Sequence, residues 1–232
     1  MSSVAVGGPG GTGRSGRRTA SGLAAVIAGA VPFLALVVLV RSGWGPLHGL
    51  DRDVAAELNT AVSRHPALVD ALGHVSDAGG SGASAAVLFL TAAWLFRRGS
   101  RRLAAYVVVT GVGLAALVPV TKTLVGRDRP TVSVPVAELP ADASFPSGHA
   151  MCSLVTYGLL VLVTVSRMPR ARWVALTLAA SVVVLVVGFT RIALGVHFVT
   201  DVLAGYALGA MWLAVTTAAF RPFIGSGAAA GP

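Results

Sequence analysis

Long apolar stretches, separated by short polar segments, are the feature that most constrains this chain. The first covers residues 22–40 and is long enough to cross a bilayer as a helix. Five further stretches of similar character cover residues 80–96, 103–121, 147–166, 173–190 and 200–220. Only 12% of the 232 residues are charged, whereas soluble domains carry about a quarter. The pattern predicts an all-α, polytopic membrane protein with six transmembrane helices in a bundle.

The segments outside these stretches complete the predicted organisation. Residues 1–21 are rich in glycine and serine and have little apolar surface to bury, so we expect a disordered cytoplasmic tail. We predict that this tail is followed by a membrane domain over residues 22–222 and by a flexible C-terminal tail over residues 223–232. The first apolar stretch fits a signal peptide less well, because it is longer than a typical h-region. Between the first two spans, apolar residues within 51–75 recur at helical spacing, which predicts an amphipathic helix along the interface.

Basic residues indicate how the predicted helices are oriented. The net charge is +9, and arginines cluster between apolar stretches, as in residues 97–102 and 167–172. Such loops are retained on the cytoplasmic side. We therefore predict a multi-pass protein of the cell membrane, with both termini cytoplasmic and a polar loop over residues 122–146 outside. This topology accounts for the positive charge better than nucleic-acid binding does, so we expect no nucleic-acid partner.

Three polar segments at the ends of predicted spans hold chemically useful side chains. They cover residues 122–130, 144–149 and 190–201. Ionisable groups at such positions are costly and are usually functional. The predicted topology, which derives from other residues, places all three segments on the outer side of the membrane. This agreement indicates one extracytoplasmic site.

Three cations in these segments suit an anionic ligand. Arg129 and Arg191 can bind phosphate oxygens bidentately, and Lys122 supplies a compact charge in a chain whose other basic residues are all arginine. The alternative is that Lys122 and Arg191 snorkel from helix ends.

A Pro-Ser-Gly-His sequence stands where a polar loop meets an apolar stretch. This position predicts a helix N-terminus, with Pro146 in the first turn, where free amides and the helix dipole favour an anion. Gly148 lets a ligand approach the backbone closely, and Ser147 adds a hydroxyl. We expect Ser147 and Gly148 to help bind the anion.

Two histidines and one carboxylate provide acid–base and nucleophilic groups. His197 and Asp201 are spaced i, i+4, so on a helix they share a face. The carboxylate can hold one ring nitrogen and leave the other free to attack, although a purely structural pair is the alternative. His149 can then protonate a leaving oxygen. No acidic cluster suggests magnesium and no His/Cys spacing suggests zinc, so we expect a reaction without a metal or cofactor.

These segments together resemble the signature of the type 2 phosphatidic acid phosphatase family, also called the lipid phosphate phosphatase and haloperoxidase superfamily. Its pattern is K-x6-R-P, P-S-G-H and S-R-x5-H-x3-D, and this chain departs from it with Thr190 in place of serine. Threonine keeps the hydroxyl but adds a methyl group and a stiffer χ1. The resemblance implies that His197 attacks phosphorus and forms a phosphohistidine, that Asp201 orients it, and that His149 protonates the leaving group. It assigns the phosphate to Lys122, Arg129, Ser147, Gly148 and Arg191.

The resemblance also implies a class of substrate. We expect an integral membrane phosphatase that converts a polyprenyl diphosphate to its monophosphate at the extracytoplasmic face. Phosphatidate and phosphatidylglycerol phosphate are the alternative substrates, and selectivity is expected to lie in residues 41–79, in residues 123–146 and in the grooves between the helices. A soluble haloperoxidase fits six spans poorly. A non-catalytic transporter or lipid-binding protein would not need both histidines and the aspartate together. The sequence does not indicate an oligomeric state.

Overall fold

All regular secondary structure in the described part of the chain is helical. The computed structural model describes residues 12–165 and 168–224. Eight helices follow one another in these residues: α1 (Thr12–Arg41), α2 (Gly45–Ser63), α3 (Pro66–Asp77), α4 (Ser81–Arg97), α5 (Arg101–Val125), α6 (Gly148–Thr164), α7 (Arg170–Ala193) and α8 (Val199–Ile224). The prediction of an all-α, polytopic membrane protein is confirmed.

The predicted number of spans stays a prediction. Five of the described helical stretches are long and apolar enough to cross a membrane, among them the 32-residue stretch Pro66–Arg97 that joins α3 to α4. The remaining predicted span corresponds to α6, which is apolar but has 17 residues. At 1.5 Å per residue it is about 26 Å long, slightly short of a typical hydrocarbon core.

The first helix begins earlier than predicted. α1 starts at Thr12, so residues 12–21, which we expected in a disordered tail, are helical. Glycines in this stretch are poor helix formers, but its three arginines and Ala20 are good ones, and each added residue extends an existing helix without a new nucleation cost. Residues 1–11 of the predicted N-terminal tail and residues 225–232 of the predicted C-terminal tail lie outside the described residues.

Two helices stand where one amphipathic helix was predicted. The break falls at His65, whose φ of −131° and ψ of 85° are not helical. The ring of Pro66 disfavours the α conformation in the residue before it, so α2 ends and α3 begins there. On α2, the buried side chains recur at spacings of three or four residues, namely Asp51, Ala55, Asn59 and Val62. This face packs against α7 and α8, so the helix forms part of the bundle.

Close contact between α6 and α8 fixes one end of the bundle. A Cβ atom on Gly205 would lie 2.5 Å from the Ser147 carbonyl oxygen and 3.2 Å from the Met151 nitrogen, so only glycine fits. Beside this contact the Ser147 amide donates to the Asp201 carbonyl oxygen at 2.9 Å.

The helix directions bring the three polar segments to one end of the bundle. α5 and α7 end there, at Val125 and Ala193, while α6 and α8 begin there. The loop between α4 and α5 lies at the opposite end. The segments therefore meet although up to 74 residues separate their contacting members.

Candidate active site

The first segment begins inside a helix rather than in a loop. α5 continues to Val125, so Lys122 lies in its last turn and not in the predicted loop of residues 122–146. α5 continues past Pro119 and ends at Gly126, which has a left-handed φ of 64° and donates its amide to the Lys122 carbonyl oxygen at 2.9 Å. The last turn of α5 thus fixes the position of Lys122, and the turn at Gly126 leads the chain to Arg127 and Arg129.

Lys122 and Arg129 share one carboxylate, and we call these three residues the open cluster. The two oxygens of Asp142 accept from Lys122 Nζ at 2.7 Å and from Arg129 Nη2 at 2.6 Å. Both basic side chains are 8% exposed, whereas that of Asp142 is 56% exposed. Lys122 Nζ also donates to the Ala143 carbonyl oxygen at 2.7 Å. These contacts turn Lys122 towards the site, so the snorkelling alternative does not describe it.

Asp142 was missed by the sequence reasoning. Partial burial alone would raise the pKa of its carboxyl, but hydrogen bonds from Lys122 and Arg129 outweigh that effect and hold the pKa below its ordinary value. The residue therefore carries a negative charge between two cations. It lies in a loop without regular structure, and no spacing relates it to either partner.

Arg191 approaches the site from the end of α7. Its Nη1 donates to Ser76 Oγ at 2.6 Å, and its buried Nε has no hydrogen-bond partner among the described residues. Its carbonyl oxygen accepts from the Val196 and His197 amides at 3.2 and 3.1 Å. Arg191 thus shapes the turn that carries His197 and keeps an unsatisfied donor. A buried polar atom without a partner is rare and often marks a ligand site.

His197 lies in a turn before α8, and not on the helix with Asp201 as predicted. The i, i+4 contact still forms, because α8 begins at Val199 and Asp201 turns back from its first turn. His197 Nδ1 lies 3.5 Å from Asp201 Oδ2 and 3.4 Å from Ser144 Oγ. On the other side of the ring, Nε2 lies 3.5 Å from Arg129 Nη1. One ring nitrogen therefore faces a carboxylate and the other faces the open cluster.

The environment of His197 favours the neutral ring. Burial lowers its pKa to about 4, Asp201 offsets part of that effect, and the charges of Arg129 and Arg191 lower the pKa further. Near neutral pH the ring carries one proton. With that proton on Nδ1, towards Asp201, Nε2 has a free lone pair.

Asp201 is completely enclosed, and both of its oxygens are occupied. Oδ2 accepts from Ser144 Oγ and from the Phe198 amide at 2.9 Å, in addition to facing His197. Oδ1 accepts from Arg127 Nη1 at 2.7 Å. Ser144 belongs to the segment that the sequence singled out, but its contact with Asp201 was not predicted.

Arg127 joins Asp201 to the second helix, and we call Arg127, Asp51, Thr200 and Asp201 the closed cluster. Arg127 Nη2 donates to Asp51 Oδ2 at 2.8 Å, and Nη1 donates to Thr200 Oγ1 at 2.7 Å. Asp51 also accepts from the Thr200 amide at 3.1 Å and from its hydroxyl at 2.5 Å. The sequence did not indicate this cluster, because 76 residues separate Asp51 from Arg127.

The Pro-Ser-Gly-His segment forms a helix start that is shifted from the prediction. Ser147 is the N-cap of α6, and its hydroxyl accepts from the Ala150 amide at 3.4 Å, so Pro146 precedes the helix and is not in its first turn. Gly148 is the first helical residue. The predicted contacts of Ser147 and Gly148 with an anion stay predictions. The Ser147 hydroxyl already serves the cap.

The second histidine lies at the same helix start. His149 is half-buried, and its Nε2 would lie 3.5 Å from a Cβ atom on Gly80. Its ring has no hydrogen-bond partner within residues 12–165 and 168–224, so both nitrogens are available. Thr190, the departure from the family pattern, is fully buried and donates its hydroxyl to the Val187 carbonyl oxygen at 2.7 Å. Its hydroxyl is therefore directed to its own helix.

The sequence profile of the PAP2 superfamily matches residues 102–224, which is more than half of the chain and includes all three polar segments. The chain belongs to the PAP2 superfamily. The resemblance derived from the three motifs is thereby confirmed. The residues before the match include α2, which supplies Asp51 to the closed cluster of this PAP2 chain.

Two named relatives share the sequence of this PAP2 chain in part. Phosphatidylglycerophosphatase B of Bacillus subtilis (strain 168) is 38% identical over 92 residues, covering 39% of this chain and 44% of the relative. Undecaprenyl-diphosphatase of Sulfolobus acidocaldarius is 31% identical over 128 residues, covering 53% of this chain and 58% of the relative. The alignments thus span about half of the length of each relative.

A solved structure shares the fold. The crystal structure of a transmembrane PAP2-type phosphatidylglycerolphosphate phosphatase from Bacillus subtilis superposes with a TM-score of 0.74 at 24% sequence identity. The superposition covers 84% of this chain and 97% of the other. This likeness establishes the arrangement of the helices in this PAP2 chain.

The assembled groups of this PAP2 chain define what the site can do chemically. The charges of Lys122, Arg129 and Arg191 all act on His149 at the start of α6. Nε2 of His197 lies 3.5 Å from Arg129 Nη1. Within the described ranges, no group of three His, Cys, Asp or Glu side chains is placed to hold a metal ion. The arrangement supplies the groups that an anion-binding site with a nucleophile and an acid would need.

Proposed function

We propose that this PAP2 chain is an integral membrane phosphatase that hydrolyses a lipid phosphate or diphosphate through a phosphohistidine. The observation that carries the proposal is the orientation of His197. Its Nδ1 faces the enclosed carboxylate of Asp201, and its Nε2 faces Arg129 at 3.5 Å. A nucleophilic nitrogen is thus directed at the place where the cations would hold phosphorus.

The open cluster supports phosphate as the bound group. Asp142 places one oxygen on Lys122 and the other on Arg129, which is the contact that two oxygens of a phosphoryl group would make. Arg191 Nε, which has no hydrogen-bond partner among the described residues, adds a donor at the same end of the bundle. In the proposed complex the phosphoryl group takes the place of the Asp142 carboxylate. The half-exposed Asp142 side chain can turn to solvent.

The proposed reaction has two displacements. In the first, the lone pair on His197 Nε2 forms a bond to phosphorus, the bond from phosphorus to the leaving oxygen breaks, and His149 transfers a proton to that oxygen. The cations neutralise charge on the three equatorial oxygens. In the second, His149 takes a proton from water, the water oxygen attacks phosphorus, and the nitrogen–phosphorus bond breaks. Inorganic phosphate and neutral His197 result.

The substrate is proposed to be a polyprenyl diphosphate, with phosphatidylglycerol phosphate and phosphatidate as alternatives. The names of the relatives support both of the first two, since one is an undecaprenyl-diphosphatase and one a phosphatidylglycerophosphatase. The distribution of arginines supports a site on the extracytoplasmic face. An outward site suits a lipid diphosphate that is released in the outer leaflet.

Phosphate release by the purified protein tests the proposal. Undecaprenyl diphosphate, phosphatidylglycerol phosphate and phosphatidate are compared at equal mole fraction in detergent micelles, with and without EDTA. We expect release with at least one lipid, highest with the diphosphate and unaffected by EDTA, and no release after His197→Ala. His65→Ala, a change at an exposed histidine, serves as the matched control. Full turnover by His197→Ala would show that another group attacks phosphorus.

The orientation in the membrane needs its own experiment. In a Cys152→Ala background, Ala137→Cys should react with a membrane-impermeant thiol reagent in intact cells. Gly99→Cys should react only after permeabilisation. The reverse pattern would place the site on the cytoplasmic face. The proposed reaction would then act on lipids of the inner leaflet.

A further inference from the structure

We propose that Asp51 and Arg127 are positioning residues for the nucleophile, acting through Asp201. The proposal deepens the proposed function and rests on His197 being the group that attacks phosphorus. Neither residue belongs to the set of side chains proposed to contact the phosphate. Together they hold the Asp201 carboxylate in one orientation and determine how much of its negative charge is left for His197.

The geometry of the closed cluster fixes the carboxylate from one side. Arg127 Nη1 binds Asp201 Oδ1 at 2.7 Å, and its guanidinium carbon lies 4.2 Å from the centre of the Phe198 ring, which packs over it. Asp51 then binds Nη2 at 2.8 Å. The planar guanidinium cannot rotate without breaking contacts on two sides, so Oδ1 is held in place and Oδ2 faces the imidazole.

Arg127 also controls the residue on the other side of Asp201. Its carbonyl oxygen accepts from the Ser144 amide at 2.8 Å, and Ser144 Oγ donates to Asp201 Oδ2. The same hydroxyl lies 3.4 Å from His197 Nδ1. Arg127 thus binds Oδ1 of Asp201 with its side chain, and with its carbonyl oxygen it holds Ser144, which contacts Oδ2.

The charges of the cluster explain why a second carboxylate is needed. Arg127 with Asp201 alone would form a neutral pair, and little negative charge would be left for the ring. With Asp51 included, the cluster of one arginine and two aspartates keeps one net negative charge, and Asp201 is the member that faces His197. Attack by Nε2 makes the imidazole positive as phosphorus binds. In a buried site, the net negative charge of the cluster stabilises this positive imidazole more than it stabilises the neutral ring of the ground state.

Burial distinguishes this cluster from an ordinary surface ion pair. The side chains of Asp51 and Asp201 are 1% and 0% exposed, and that of Arg127 is 7% exposed. A buried ion network is weak support for a stabilising role, because desolvation offsets the attraction between the charges. Its placement directly behind the proposed nucleophile favours a role in positioning. It also gives α2, which the three motifs do not include, a connection to the reaction.

Kinetics of Asp51→Asn test the proposal. Asparagine keeps the shape and the acceptor for Thr200 but removes the charge, so we expect kcat to fall about 10- to 100-fold. The KM, the inhibition constant of inorganic phosphate and the stoichiometry of phosphate binding should stay as in the wild type. Asp53→Asn is the matched control, since Asp53 is an exposed aspartate on the same helix. If the number of phosphate-binding sites per protein molecule fell in proportion to kcat, the variant would be partly unfolded and Asp51 would only maintain the fold.

Nuclear magnetic resonance gives a readout that does not depend on turnover. With 15N-labelled histidine, and His197→Gln for assignment, the wild type should show the His197 tautomer with its proton on Nδ1. Asp51→Asn and Arg127→Met should both shift that proton resonance, whereas Asp53→Asn should not. Unchanged spectra and unchanged kcat in both variants would overturn the proposal. Absence of any phosphatase activity in the wild type, with the spectral shifts present, would instead refute the proposed function.

Discussion

The open and closed clusters lie side by side and both combine basic side chains with aspartate, but they differ in how completely their charged groups are buried. In the closed cluster every charged group is buried and has a partner. In the open cluster one half-exposed carboxylate serves two buried cations. Arg127 and Arg129 are two residues apart in the chain and belong to different clusters. The comparison supports the proposals that the closed cluster positions the nucleophile and that the open cluster exchanges Asp142 for phosphate.

Arg127→Met should have the largest effect, because it breaks the closed cluster. Two buried carboxylates would lose their cation, and leaving a buried charge uncompensated costs about 3–5 kcal/mol of unfolding free energy. We expect a lower midpoint in detergent unfolding experiments together with a reduced kcat. Arg64→Met, at an exposed arginine, should change neither. Wild-type stability of Arg127→Met would show that the cluster is not a connected unit.

Arg129→Lys should weaken the open cluster without disturbing the closed one. Lysine keeps the charge but cannot donate from the fork that contacts Asp142 and Val196 together. A lost charge-assisted hydrogen bond is worth about 1.5–3 kcal/mol, so kcat/KM should fall roughly 10- to 100-fold while the unfolding midpoint stays constant. The comparison between the clusters would fail if stability fell as far as in Arg127→Met.

The pKa of His197 provides a smaller and more specific test. Burial lowers it to about 4, and Asp201, Arg129 and Arg191 are the charged groups that modify it. Titration followed by NMR of 15N-labelled histidine should show the ring neutral at pH 6 and half protonated near pH 4. The sign follows from burial, which disfavours the cation, so the proton binds only at lower pH. A midpoint near the ordinary value of 6.5 would mean that water reaches the ring.

Asp142→Asn should have the smallest effect and should improve anion binding. The Asp142 side chain is half exposed, and ion pairs of this kind contribute about 0.2–1 kcal/mol. Removing its charge should therefore lower the inhibition constant of inorganic phosphate by about 2- to 5-fold. Glu138→Gln, at an exposed acid of the same loop, is the control. Weaker phosphate binding would mean that Asp142 arranges the two cations and does not compete with the ligand.

The sequence predicted those features that depend on composition and on local spacing. Apolar stretches predicted the helices, and the alternation of spans placed the three motif segments at one end. The i, i+4 spacing correctly paired His197 with Asp201 but for the wrong reason, since a turn before a helix also brings such residues together. The break at Pro66 could have been predicted from the proline itself, but the regular apolar spacing over residues 51–75 led us to predict one continuous helix.

The remaining features depend on contacts between distant segments. Asp51 reaches Arg127 across 76 residues, and no periodicity links a residue on α2 to one after α5. Asp142 lies in an irregular loop, where its position is decided by the two cations it meets. Sequence patterns therefore indicated the groups proposed to react, whereas the groups that contact them became evident only in three dimensions.

Trapping the covalent intermediate tests the central claim most directly. The wild-type protein is mixed with undecaprenyl diphosphate or phosphatidylglycerol phosphate, quenched in alkali, and analysed by peptide mass spectrometry. The account predicts an acid-labile phosphate on His197, absent from His197→Ala and formed more slowly in Asp51→Asn. Turnover with phosphate on His149, or with no phosphohistidine at any time during the reaction, would contradict it.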